Sequence, residues 1–178
     1  MTSWNDPLAL RHDRQSTEKQ KTEWLASGLL DGRWSVQACL EAYENAKEKE
    51  KATCVEACTF ATAKQPDLID KDSFTEISSY LKAKTPRLIW ESCRLIAQTI
   101  SLHPATWKRL LPDLLTLSEH PGTVVRWSAA QALTAIYLHI PSSRKTLADI
   151  FGAILAREEK NSIRKIYLQA EKKGANRS

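Results

Sequence analysis

Apolar residues recur along this chain at three- and four-residue spacing, and proline, glycine or charge cuts the runs at intervals. The clearest stretch is Leu110 to Leu138. Its first half carries Trp107, Leu110, Leu111, Leu114, Leu115 and Leu117 as a stripe of helical period. Pro112 lies inside that stripe and predicts a bent helix, because proline removes one backbone hydrogen bond and crowds the preceding turn. Ser118 to Gly122 supplies a break, after which Thr123 is placed to cap a second helix. There Val125, Ala129, Ala132, Leu133 and Ile136 share one face. Two of these five are alanine, so a neighbouring helix can approach closely.

The same pattern is written elsewhere. Trp24, Leu25, Leu29 and Leu30 predict a helix over 16–30, opened by Ser16-Thr17 and ended by Asp31-Gly32. Val36, Cys39, Leu40 and Tyr43 predict another over 34–47. A Lys/Glu turn at 47–51 then leads to a helix with Cys54, Val55, Cys58 and Ala61. The next pair has Leu68, Ile69, Phe74, Ile77, Tyr80 and Leu81, a turn at 82–86, and a buried row of Ile89, Cys93, Ile96 and Ile100. The last has Leu147, Ile150, Phe151, Ile154 and Leu155, a charged turn at 157–160, then Ile163, Ile166, Tyr167 and Ala170. Met1 to about Gln15, polar and mixed in charge, is expected to be mobile or draped on the first helices, and the tail Glu171 to Ser178 to fray.

Two sets of markers keep one period. Pro66, Pro104 and Pro141 each close a second helix, at separations of 38 and 37, and Arg87, Arg126 and Arg164 each open one, at separations of 39 and 38. A helix pair of this length cannot bury its apolar face alone, so the units must stack into a continuous core. The period exceeds that of the tetratricopeptide and ankyrin repeats, whose signature residues are also missing.

Leu-Pro-Asp-Leu-Leu at 111–115, the short polar turn, Val124-Val125-Arg126, and then Ala129, Ala130, Ala132 and Leu133 resemble a HEAT repeat. The resemblance spans about 31–174 and is weakest in the first unit. It implies an all-α, right-handed α–α superhelix, a solenoid of about four helical hairpins at 31–66, 67–104, 105–141 and 142–174. Residues 1–30 would form an N-terminal segment and capping helix, and 175–178 a tail. The family usually has Asp six residues before the arginine; His120 holds that place before Arg126, while Glu158 restores an acid before Arg164.

Composition adds little chemistry. The formal net charge is +5 at pH 7, which permits nucleic acid or anionic partners without requiring them. Cys39, Cys54, Cys58 and Cys93 all lie in helical patterns, and no spacing among them suits zinc, so they are expected as small buried residues in a reducing, cytoplasmic setting. No apolar run reaches membrane-spanning length. His12, His103, His120 and His139 are scattered, and phosphate loops and nucleophile motifs are missing. No catalytic residue, metal site or cofactor is expected.

A binding surface is expected instead. Arg87, Glu91, Arg94 and Gln98 form a stripe opposite the buried row of their helix, bordered by Trp90 and extended by Trp127 and Gln131 of the next unit. Arginine and tryptophan are the residue types that anchor interfaces. The resemblance places second helices on the concave face, where partners lie. The candidate partner-binding residues are therefore Arg87, Trp90, Glu91, Arg94, Trp127, Gln131 and Arg164, the partner being a protein or peptide. Alternatively the arginines tie neighbouring repeats together and the tryptophans fill gaps between them. A second functional class stays open: some HEAT-like proteins are DNA glycosylases for alkylated bases, which bind duplex in a basic groove.

Overall fold

The structure, a computed structural model, describes residues 6–176. Among these it is helical, with no strand: α1 (Pro7–His12), α2 (Glu18–Leu30), α3 (Val36–Tyr43), α4 (Glu48–Thr62), α5 (Lys71–Ser79), α6 (Pro86–Thr99), α7 (Trp107–Ser118), α8 (Thr123–His139), α9 (Arg144–Arg157) and α10 (Asn161–Ala175). Residues 1–5 and 177–178 of the expected mobile ends lie outside the described residues. Parts of those ends are helical, α1 at the start and the last turns of α10 at the finish. Asp6 accepts from the Ala9 N–H and caps α1, and Leu10 is fully buried. At the other end α10 runs through Ala175.

The chain divides into two compact units, one ending at Leu95 and the other beginning at Ile96, so the boundary falls within α6. In the first unit α1 packs on α3 and α2, so the N-terminal segment contributes a short helix laid on the first helices. Helices α2 and α4 share the most extensive contact of the chain. Thr53 donates its hydroxyl to the Glu18 carboxylate, and Thr22 donates to Glu56 Oε2 at 3.2 Å. Matching 18 with 53 and 22 with 56 means that α2 and α4 run in the same direction. The antiparallel α3 connects them.

Helix α4 is covered on most of its circumference: Ala52, Cys54, Val55, Ala57, Cys58 and Ala61 are all 0–1% exposed. Small side chains make that close approach available. Hydroxyls on such helices bond within their own helix, Thr59 to the Val55 carbonyl at 2.9 Å, Thr62 to Cys58 at 2.8 Å and Ser92 to Leu88 at 2.8 Å. A polar residue can thus be buried there without an unmet donor, which weakens the amphipathic signal in the sequence.

Turns are fixed across hairpins. Glu48 Oε2 accepts from the Thr85 N–H at 2.6 Å and the Lys84 N–H at 3.1 Å, so α4 supplies acceptors to the start of α6. Between α2 and α3, the Trp34 indole lies against Gly28 and donates Nε1–H to the Leu25 carbonyl at 3.1 Å. A Cβ built at residue 28 would sit 1.8 Å from a ring carbon. Only glycine lets that indole in.

In the second unit α8 is flanked by α7 and α10, and α9 closes the last hairpin. Its core holds Tyr137, Phe151 and Tyr167, with ring centroids 5.3 and 4.9 Å apart along that order. Pro112 is accommodated inside α7. Thr123, expected as a cap, is instead the first residue of α8, Gly122 takes the capping position, and no side chain bonds there. The three period-marking prolines follow the second helices and start the next hairpins, each opening a 3-10 turn, Pro66–Leu68, Pro104–Thr106 and Pro141–Ser143. A fixed φ and a missing N–H suit that first position.

Arg126 Nε donates to Glu158 Oε2 at 2.8 Å and its other nitrogens to Glu158 Oε1 at 3.3 Å and to the carbonyls of His120 and Pro121 at 3.0 and 3.1 Å. The acid six residues before Arg164 therefore serves the arginine of the preceding hairpin. Arg164 instead donates to the carbonyls of Leu155 and Glu158. Among the described residues no helix is long and apolar enough to cross a membrane.

Candidate partner-binding surface

Helix α6 and the 3-10 turn that follows it bury the expected row, with Ile89, Cys93, Ile96 and Ile100 at most 3% exposed. It also buries a second row, Leu88, Ser92, Leu95 and Thr99. Glu91 sits within that second row and is only 1% exposed, which corrects its expected place on the outward stripe. Arg87 and Arg94 remain about a third exposed at 31% and 29%, Trp90 is half-buried and Gln98 is exposed.

Each arginine is held by an acid of this unit. Arg87 donates to Glu56 Oε2 at 2.8 Å, the carboxylate that also takes the Thr22 hydroxyl, and more weakly to Thr53 Oγ1 at 3.4 Å. Arg94 donates to Glu91 Oε2 at 2.9 Å. Its guanidinium carbon lies 5.9 Å from the Phe60 ring centroid and 5.7 Å from that of Trp90. Phe60, which the sequence reading passed over, is 43% exposed on α4. An aromatic four residues after Glu56, off the row Cys54, Val55, Cys58, Ala61, was the available signal.

Phe60 and Glu23 separate and share two hollows between α2 and α4. One, about 450 Å³, is lined by Lys19, Thr22, Glu56 and Arg87 beside those two. The other, about 670 Å³, is lined further along the same helices by Ala26, Ser27, Leu30, Asp31, Ala63 and Lys64.

Burial pushes the Glu91 carboxyl up to about 7, the nearby guanidiniums of Arg94 and Arg87 only partly offsetting it. A folded-state value above the unfolded one means that the folded chain holds a proton over the window between them. Stability from this group is complete below pH 4.5 and falls as pH rises toward 7, by roughly 3 kcal/mol at 1.36 kcal/mol per pH unit. Glu91→Gln should therefore flatten the fall between pH 5 and pH 8, read by urea unfolding at both. An unchanged slope would show that Glu91 ionises without cost.

In the second unit, Trp127 and Gln131 are half-buried on α8. Arg126 and Arg164 are engaged as described. The four cysteines are buried; the Cys58 side chain, hydrogen-bonded to Cys54, and burial both push the Cys54 thiol up, and burial does the same to Cys39, so both stay protonated. Among the described residues no three His, Cys, Asp or Glu side chains gather as a metal would need.

No protein-family model and no curated protein matches the chain. Solved structures do. An engineered protein from a structural genomics programme superposes with a TM-score of 0.69 at 15% identity, over 96% of this chain and 79% of that one. A designed armadillo repeat protein in complex with the peptide (KR)4 gives 0.68 at 17% identity, covering 94% and 80%. A second designed armadillo repeat protein gives 0.66 at 16%, also covering 94% and 80%. At such identities the likeness shows the fold: an all-α helical-repeat solenoid.

Proposed function

We propose that this chain is a non-catalytic scaffold that holds a protein or peptide partner on the exposed faces of α2, α4 and α6. The observation that carries this reading is Arg94 set between exposed Phe60 and Trp90, with Arg87 and Phe60 lining one of two open hollows on the same compact unit. Aromatic and arginine side chains held in place before binding cost little to immobilise, which is what interface anchors require. Glu91 acts beneath the surface by holding Arg94. Trp127 and Gln131 offer a separate patch on α8. Arg164, bonded to two carbonyls, serves its own hairpin.

Against a nucleic-acid reading stands the engagement of Arg87 by Glu56 and of Arg94 by Glu91, which occupies donors that a phosphate backbone would need. The solved neighbour that carries a peptide supports the protein-binding class. The test is Arg94→Ala at pH 6, where Glu91 holds a proton and the substitution strands no buried charge. Proteins retained from lysate by the wild type should be lost at least about tenfold, the ~1.4 kcal/mol of one anchor, with the melting midpoint nearly unmoved. Equal retention of the same proteins would defeat the proposal.

A further inference from the structure

We propose that the larger hollow, where α2 and α4 end side by side, is a subsite for one basic side chain, lysine or arginine, of the partner segment. The inference rests on the partner-binding reading above and names the chemistry of what is bound. The hollow has a floor for an aliphatic stem, since Ala26, Leu30 and Ala63 line it and Phe60 forms a wall. Residues 23, 26, 27 and 30 fall on one face of α2, and 60, 63 and 64 close the opposite side from α4. Because the two helices run in the same direction, both present their C-terminal ends here. The last carbonyls of each carry partial negative charge, so two helix dipoles favour a cation at one mouth. Carboxylates of Glu23 and Asp31 stand at the rim. Two cations stand beside it: Lys64, exposed at the edge, and Arg33, which donates to Asp31 and to Ser27 Oγ at 3.2 Å.

The Phe60 ring shows the same preference within the chain, because the Arg94 guanidinium already lies 5.9 Å from its centroid. That guanidinium is hydrogen-bonded to Glu91 at 2.9 Å, which fixes its place at the ring. Among the described residues Glu23 pairs with Lys19, at 3.8 Å between two exposed side chains, and can turn to a partner at small cost. Asp31 is bound through both carboxylate oxygens by Arg33 Nε, each at 2.9 Å, so Glu23 is the rim carboxylate that turns to the partner's cation. A leucine would fill the floor but leave these acceptors unused, and a glutamate would meet the carboxylates and the helix ends with the wrong sign.

The test is a titration of the full ¹⁵N-labelled chain with acetyl-Gly-Gly-Arg-Gly-Gly-amide and its counterparts carrying lysine, leucine or glutamate at the centre, each to millimolar concentration. The arginine and lysine peptides should shift the amides of 23–31 and 60–64 saturably, and the leucine peptide should bind about fivefold more weakly or worse. Glu23→Gln and Phe60→Ala should each weaken the arginine peptide about threefold to fivefold at an unchanged melting midpoint. Equal or tighter binding of the leucine or glutamate peptide, no saturable shift with any of the four, or no effect of Glu23→Gln overturns the inference. If the peptides fail while Arg94→Ala still loses its partner, the basic subsite falls and the scaffold reading stands.

Discussion

Phe151→Ala is expected to lower the unfolding free energy by about 3–5 kcal/mol, the usual cost of deleting a fully buried ring. Phe151 is 0% exposed and lies between Tyr137 and Tyr167, which it touches ring to ring on either side. Removing it takes away apolar burial and two aromatic contacts, and neither tyrosine can follow into the space. Tyr137 is held against Gly174, and Tyr167 is itself 0% exposed. The cavity therefore stays open, and its unmet contacts add to the lost transfer energy. Urea unfolding should show a lower midpoint with the slope unchanged. Phe60→Ala supplies the contrast, since that ring is 43% exposed and its loss should leave the midpoint close to wild type. A loss at Phe151 as small as that at Phe60 would show that the last hairpin repacks freely.

Arg126→Ala should cost about 2–4 kcal/mol at neutral pH, because it strands a nearly buried carboxylate and frees two turn carbonyls. The side chains of Arg126 and Glu158 are 18% and 4% exposed. Burial alone would raise the Glu158 carboxyl, but the hydrogen bond from Arg126 and the N–H of Lys160 outweigh it, and the group sits below its ordinary value. A lowered folded-state value means the stabilisation is present above the unfolded value near pH 4.3 and is lost as pH falls through the lower folded one. The gap between wild type and variant should consequently narrow below about pH 4. Adding Glu158→Gln to Arg126→Ala should recover part of the loss by removing the stranded charge. If the double variant is as unstable as the single one at pH 7, the carboxylate was never the source of the cost.

The helices from α2 to α10 were legible because a buried stripe at helical spacing has a single reading, and the regular prolines and arginines added the period. Helix α1 was not legible. Six residues with one buried leucine carry no period, and its place is fixed by distant contacts, Arg11 donating to the carbonyls of Ala42 and Asn45. The surface was half legible. Arg87, Trp90 and Arg94 gather where the pattern put them, but Glu91 is inside. One apolar row suffices for a helix with one neighbour, whereas α6 is buried along two rows, and serine and threonine disguise the second. Phe60 and the hollows depend on how α2 and α4 lie together, which no single helix pattern contains. The Arg126–Glu158 pair joins neighbouring hairpins, as the alternative reading of the arginines had it, but spacing along the chain does not say which neighbour a long side chain will reach.

The indole seated on Gly28 carries a consequence for the sequence history of this fold. Positions 28 and 34 are one choice written twice, since even a methyl group at the first would meet the ring of the second. Relatives that bear a side chain at 28 should have exchanged the tryptophan at 34 for something smaller, and lineages that keep the tryptophan should never leave glycine. Tyr137 and Gly174 are bound by the same exclusion, with 2.6 Å left between a Cβ at 174 and the phenol oxygen. Two such pairs, evolving in step, would mark descent more durably than the surface stripes that drift with each partner.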